Sequence, residues 1–418
     1  MAGIVTEETK QQVERIGSAD IVVGIAGPVA PEELRTRAEK IIAELGSGVP
    51  PLRFVFAWPG TGAEPTITSL NGNESLSLTM FPFAPPAYNG GEFWAPVSAN
   101  QRAILALGAS LNARACIVLG SDLAALQAHA IQLFAYAILD RQCGLAMPLY
   151  PSGKYEALVN HGILSPLSRA LYGRRIRYPI SFDFAASGPM CARLARGEPG
   201  AEHSVSSLLW PVTIASTQSP QDPVGQVHID VHHEVSTGGL DLSAVLGQVL
   251  GSMFHEMETF AAQWQRIRGS QALPVWGNPP AEEPEDEEAP DPTSMLDSFL
   301  LGSKNLAEVW QLVLPPNTML ELRRLTRAGV ASFNMPDELW AAIVYDFALA
   351  WRLRTISRVH LLGALTPLYL GWAASYVREV SSLPPAALEP RVEQFARAWE
   401  EKKPYLLSRW RWPDRFNP

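Results

Sequence analysis

Cysteine is scarce: 418 residues contain three, Cys116, Cys143 and Cys191. The set is odd in number and each member sits in apolar surroundings. That excludes a disulfide framework or a cysteine-built zinc site and leaves free buried thiols. Positive charge is in short supply too. There are 33 Lys and Arg against 42 Asp and Glu, a formal charge of -9, so the basic footprint of a nucleic-acid binder is missing. The longest uncharged apolar run near the C-terminus, 361–377, falls short of the roughly 20 residues of a membrane span and is interrupted by Pro367 and Gly371. The opening MAGIVTEETKQQVERIG is polar and has no apolar signal core, so a cytoplasmic protein with no membrane span is expected. There is no G-x-G-x-x-G after the first apolar run and no P-loop, which counts against the usual dinucleotide enzyme and against a P-loop NTPase. G-x-S-x-G, H-E-x-x-H and C-x-x-C are also absent, so no triad or zincin pattern stands out.

What is present describes a globular chain. Hydrophobic residues make up 47% and charged residues 18%, enough to bury a substantial core in two or three domains. The β-branched run 21–27 ends in glycine and reads as a buried strand. Pro31-Glu32-Glu33 opens a helix, with proline and acids where a first turn favours them. Further strands are expected at 52–58, 75–83, 115–119, 143–150 and 224–233. Helices are expected at 99–111, 123–140, 152–172 and 240–268. Strands alternating with helices over the first 150 residues predict an α/β fold with a mainly parallel sheet. Residues 277–293, GNPPAEEPEDEEAPDPT, hold too little apolar surface to fold and read as an acidic linker or extended loop. Helical periodicity fills the remainder to the C-terminus. The organisation expected is therefore a domain over 1–270, a linker over 271–295 and a helical domain over 296–418. Most of the twelve tryptophans lie after residue 260. They read as packing and interface residues, and a homodimer is expected from them.

Three constellations carry candidate chemistry. The strand 115–119 ends at Gly120-Ser121-Asp122, placing one carboxylate at the edge where open α/β sheets bind ligands. Asp122 is either a metal or ligand contact or the cap of the next helix. A single carboxylate holds a hydrated divalent ion weakly unless substrate phosphates add oxygens. Its best protein partner is His233, with His232 second. A three-histidine zinc site of His228, His232 and His233 fails, because His233 points away from the other two in a regular strand. The second constellation, Lys154-Tyr155, Asn160, Ser168-Arg169 and Arg174-Arg175-Ile176-Arg177, starts at the same sheet edge and suits an anionic ligand. Arg174, Arg175 and Arg177 read as a solvated helix end; Lys154 and Arg169 are the better candidates. The third is Ser181-Phe182-Asp183-Phe184, an acid between aromatics, either a pocket wall or a helix cap.

Several segments taken together resemble a known family. Pro148-Leu149-Tyr150, Lys154-Tyr155, Asn160, Pro166 to Gly173, Arg177, Pro179-Ile180, Asp183-Phe184 and Ser187-Gly188 are similar in order and spacing to the glucosylglycerate and mannosylglycerate synthase group of retaining glycosyltransferases. Trp340, Tyr345 to Ala348, His360, Pro367 to Gly371, Lys403 to Leu406 and Arg409-Trp410 resemble that group's helical extension. The resemblance implies a GT-A fold, Rossmann-like, with a mixed, mainly parallel sheet flanked by helices and an α-helical C-terminal extension. It implies transfer of a hexose from a nucleotide-diphosphate sugar to a small anionic acceptor such as glycerate or phosphoglycerate. It implies a divalent metal, Mg2+ or Mn2+, on Asp122 and His233, and donor contacts from Gly24, Ala26, Ser121 and Asp122. Acceptor contacts would come from Lys154, Tyr155, Asn160 and Arg169, and Asp183 takes the catalytic position. No protein nucleophile is assigned.

The chain departs from the group's pattern at its donor site. Gly120 stands where an acid is usual, Ser98 where a lysine is usual, and Phe182 replaces a glycine beside Asp183. The first strand ends Ala26-Gly27-Pro28. These departures motivate the alternative of a catalytically impaired member that keeps the fold as a ligand-binding or assembly module.

Overall fold

The computed structural model describes residues 6–45, 52–60, 65–69, 76–84, 94–120, 127–151, 153–155, 157–196, 208–230, 241–279, 289–329 and 332–413. The chain forms two compact units, each drawn from separate stretches. One comprises Met1–Pro151, Tyr178–Glu234 and Leu273–Ala281, and the other Ser152–Arg177, Val235–Ala272 and Glu282–Pro418. Segments 152–177 and 235–272 thus fall with the C-terminal helices, where the sequence grouped them with the first domain. The reason lies in their apolar faces. Helices Ser165–Tyr172 and Leu242–Thr259 pack on the long C-terminal helices of their own unit.

The first unit is α/β. Among the described residues its strands are β1 (Ile21–Ile25), β2 (Leu52–Pro59), β3 (Thr66–Ser69), β4 (Leu76–Phe83), β5 (Ala115–Leu119), β6 (Leu145–Leu149), β7 (Phe184–Ser187), β8 (Val224–His228) and β9 (Val275–Trp276). The order across the sheet is β3-β4-β2-β1-β5-β7-β6-β8-β9. Every pairing is parallel except those made by β3 and β7, which run against the rest. This is the mixed, mainly parallel sheet expected. Side chains alternate across it. Ile21, Val23 and Ile25 join the core under helices Pro31–Leu45 and Ala128–Leu139. On the other face, Gly24 meets Ile104 of helix Ala95–Ser110.

Three strands escaped the sequence reading: β3, β7 and β9. Each is four residues or fewer, too short for a period-2 pattern to register. In the acidic tract, 280–288 lie outside the described residues. Asp291 at its end caps helix Pro292–Asn305, accepting from the Thr293 and Ser294 N–H groups.

The second unit is helical, as expected of the C-terminal part. Its helices include Leu242–Thr259, Asp337–Leu353, Arg358–Ser381 and Pro385–Arg411. The expected helix over 152–172 is broken. Residues 153–155 bend, Ala157 takes φ 51°, and a π-turn Asn160–Leu164 precedes helix Ser165–Tyr172. Trp372 explains the turn's glycine. A Cβ on Gly162 would stand 2.1 Å from its ring, and the Gly162 carbonyl accepts from the Trp340 indole at 2.8 Å. Trp264, Trp310, Trp340, Trp372 and Trp399 are fully buried in this unit, and Trp340 stacks on Trp372. These five tryptophans therefore build an interior, the packing role expected of them. Trp412 is the exposed exception. No helix among the described residues is long and apolar enough to cross a membrane.

Charge is buried beside these rings. Asp346 accepts from Arg409 Nε at 3.1 Å and from Tyr405 Oη at 2.7 Å. Burial pushes the Asp346 carboxyl up to about 6, outweighing the pull of Tyr405 and Arg409. Asp346→Ala removes the carboxylate facing a guanidinium that is itself buried. A loss of about 3–5 kcal/mol is expected, measured by urea denaturation. A loss below about 1 kcal/mol, the range of an exposed pair, would show that Arg409 does not depend on it.

Candidate functional site

Topology selects one edge of the sheet. β1 pairs with β2 on one side and β5 on the other, all parallel. The helices following β1 and preceding β5 cover opposite faces. That makes a topological switch point, where the carboxyl ends of β1 and β5 open a crevice. β5, β6 and β8 run the same way, so all three end on this edge. β7 lies between β5 and β6 in the opposite direction, so its beginning lies there too. Asp183 is the residue just before it.

Asp183 ties that edge together. Its Oδ1 accepts from the Gly120 N–H at 2.8 Å, and its Oδ2 accepts from Tyr150 Oη at 2.6 Å. Ser181 Oγ lies 2.7 Å from Tyr150 Oη and accepts from the Asp183 N–H at 3.0 Å. Gln101 donates to the Phe182 carbonyl at 3.3 Å, and Asn100 to the Ala26 carbonyl at 2.9 Å. The ends of β5 and β6 thus converge on one buried carboxylate at the start of β7, and the end of β1 joins them through the Ala26 N–H on the Leu119 carbonyl. Burial, with the Asp183 charge second, drives the Tyr150 phenol well above its ordinary range. It stays protonated and donates. The helix-cap alternative for Asp183 gives way, because helix Gly188–Arg196 starts five residues later and the Met190 N–H finds Ser187 Oγ instead.

The other candidates fall in several places. Gly24 lies inside β1, and a Cβ there would stand 2.2 Å from Ile104 Cγ2, so it admits the helix. Ala26 is fully buried; its N–H donates to the Leu119 carbonyl at 2.8 Å, and its carbonyl takes Asn100. Ser121 and Asp122, and His232 and His233, lie outside the described residues. Lys154 donates to the Leu383 carbonyl at 2.7 Å. Tyr155 is half-buried in the bend before the π-turn. Asn160 donates to the Arg177 carbonyl at 2.8 Å. Arg169 is 4% exposed and binds Glu393, Glu400 and Ser270. An acceptor-binding cation must be open to an anion, and two carboxylates already neutralise this one. Arg175 and Arg177, read as a solvated helix end, pair with Glu393 at 3.5 Å and Glu389 at 3.0 Å. Lys154, Tyr155, Asn160 and Arg169 belong to the second unit, while Gly24, Ala26 and Asp183 belong to the first.

Among the described residues no group of three or more His, Cys, Asp or Glu is placed to hold a metal ion. Both oxygens of Asp183 are already bonded, one to a backbone N–H and one to a phenol. The described residues alone do not fit a divalent ion.

Sequence reading passed over Asn100 and Gln101. Their signal was two adjacent amides on a helix of mainly apolar residues, both buried at 7% exposure or less.

No family model matches the chain, and no curated protein matches it. Solved structures do. One is glucosyl-3-phosphoglycerate synthase from Mycobacterium tuberculosis in complex with Mn2+, UDP-glucose and phosphoglyceric acid. Identity is 13%, coverage is 60% of this chain and 82% of that one, and the TM-score is 0.35. A second structure of M. tuberculosis glucosyl-3-phosphoglycerate synthase gives 13%, 60%, 83% and 0.35. A mycobacterial protein gives 13%, 60%, 77% and 0.36. Likeness at that level decides nothing about the chemistry of this chain.

Two substitutions test the edge. Tyr150→Phe removes a hydrogen bond to a buried carboxylate, and a loss of about 1.5–3 kcal/mol is expected in chemical denaturation. An unchanged midpoint would remove Tyr150 from the clamp. Gly24→Ala drives a methyl into Ile104 and should cost about 1–3 kcal/mol. Pairing it with Ile104→Ala should restore part of that, and no restoration would show that the clash lies elsewhere.

Proposed function

We propose that this chain is a metal-dependent retaining glycosyltransferase, moving a hexose from a nucleotide-diphosphate sugar to a small anionic acceptor such as glycerate or phosphoglycerate. The observation that carries the proposal is the placement of Asp183. The residue that matches the family's catalytic position stands at the switch-point edge, bonded to the ends of β5 and β6. Donor sugars and their phosphates bind at such edges in open sheets. Asp122 follows Gly120 by two residues, and His233 follows β8, another strand ending on that edge. In this reading those two hold Mg2+ or Mn2+, which when bound would supply a Lewis acid for the departing diphosphate. Asp183 positions and orders: its bonds fix Gly120, the last residue before the donor-side segment. The ordered order and spacing of motifs from Pro148 to Gly188 supports the same reading. A homodimer is part of the proposal.

A second reading has its own support. Asp183 is bonded at both oxygens, Arg169 is neutralised, and Phe182 adds bulk beside the edge. These favour a catalytically impaired relative that binds a ligand or partner without turnover.

Thermal denaturation separates the possibilities. Mn2+ with UDP, GDP or ADP at about 100 times Kd should stabilise the protein by about 2.7 kcal/mol and raise its Tm. The shift should need the metal and should vanish in Asp122→Ala. No shift with any nucleotide would sink the glycosyltransferase reading; an unchanged shift in Asp122→Ala would remove that residue from the site. Sugar transfer or donor hydrolysis by purified protein would eliminate the second reading. A monomeric mass at micromolar concentration would refute the dimer.

A further inference from the structure

The second unit carries a cavity of about 530 Å3, bounded by the turn at 267–269 and the last turns of helix Pro385–Arg411. That is the size range of small-molecule sites. Arg268, Lys403 and Arg411 line it, with Glu400 as the acid among them. Glu400 Oε2 is held by Arg169 at 2.7 Å, so its charge is already matched from behind. The cavity wall is therefore cationic on balance, in a chain whose net charge is negative.

Two side chains of this wall keep hydrogen-bonding capacity beyond their internal bonds. Lys403 is 5% exposed, and its ammonium donates to the Ile267 carbonyl at 2.7 Å and the Leu171 carbonyl at 3.4 Å. An ammonium has three donors, so one remains beyond those on these two carbonyls. Burial lowers this amine to about 8, with Glu400 opposing. Glu400 Oε1 is buried and has no hydrogen-bond partner among the described residues. A buried carboxylate oxygen without a donor is costly and wants one. The rim adds Trp412, an exposed indole at 69%, and Gly269, whose Cβ side is open space. Exposed indoles beside a polar wall suit ring-bearing ligands.

We infer that this cavity binds a hydroxylated phosphate ester, with the phosphate taken by Arg268, Lys403 and Arg411 and a hydroxyl donating to Glu400 Oε1. Arginine and lysine together match phosphate oxygens by charge and by donor geometry. The same chemistry is offered by a hexose phosphate and by a nucleoside monophosphate. Every lining residue belongs to the second unit, and none is among the residues of the sheet edge. The inference therefore stands apart from the transferase reading.

Titration calorimetry on the full chain, in a metal-free buffer with chelator, tests it. The probes are glucose 6-phosphate, AMP, glucose, adenosine and inorganic phosphate. At least one ester should bind with Kd below about 1 mM, and its uncharged counterpart and inorganic phosphate should each bind at least about tenfold more weakly. The ester that binds identifies the source. Arg268→Ala/Arg411→Ala changes two exposed side chains and should weaken that ester at least about tenfold. Lys403→Met should do the same, read only if its circular dichroism matches the parent. Absence of binding by both esters, an unchanged Kd in the double variant, or phosphate binding as tightly as its ester would each overturn the inference.

Discussion

The carboxylate of Asp183 is the constraint on which the candidate site depends. A buried charge is tolerated only where donors replace lost water. Here the donors come from different strands: a backbone N–H at the end of β5 and a phenol at the end of β6. The antiparallel insertion of β7 makes this arrangement available. Had β7 run with its neighbours, Asp183 would lie at the opposite edge, away from every strand end that bears a candidate residue. Direction of one four-residue strand therefore decides where the acid stands.

Close approach between elements does the complementary work. Gly24 lets helix Ala95–Ser110 sit against β1, and that helix brings Asn100 and Gln101 to the backbone at the edge. The edge is thus fixed from two directions, by Asp183 within the sheet and by paired amides from above it. An arrangement held this way suits a ligand site, because the groups around a bound molecule need no rearrangement to receive it.

In the helical unit, charge is mostly consumed by structure. Arg169, Arg391 and Arg409 each meet carboxylates while largely buried. Such pairs contribute little net stability over an apolar filling, but losing one partner is expensive. Cations that look available along the chain are thereby taken out of circulation. Lys403 differs: carbonyls hold it, and among the described residues no acid is hydrogen-bonded to it.

The sequence by itself determined the class of fold. Apolar runs marked β1, β2, β4, β5, β6 and β8 because each is long enough to show its burial, and alternation with helices made the sheet mainly parallel. It also marked Asp183 through its neighbours Ser181 and Phe182. Tertiary structure alone decided the rest. β7 is too short to announce a strand, and nothing local states its direction. Arg169 reads as a ligand residue until Glu393 and Glu400, more than 200 positions on, arrive beside it. Five tryptophans of the helical unit read as packing or interface residues alike until their own helices close around them. In each case a local pattern fixes what a residue can do, and the distant partner it meets fixes what it does.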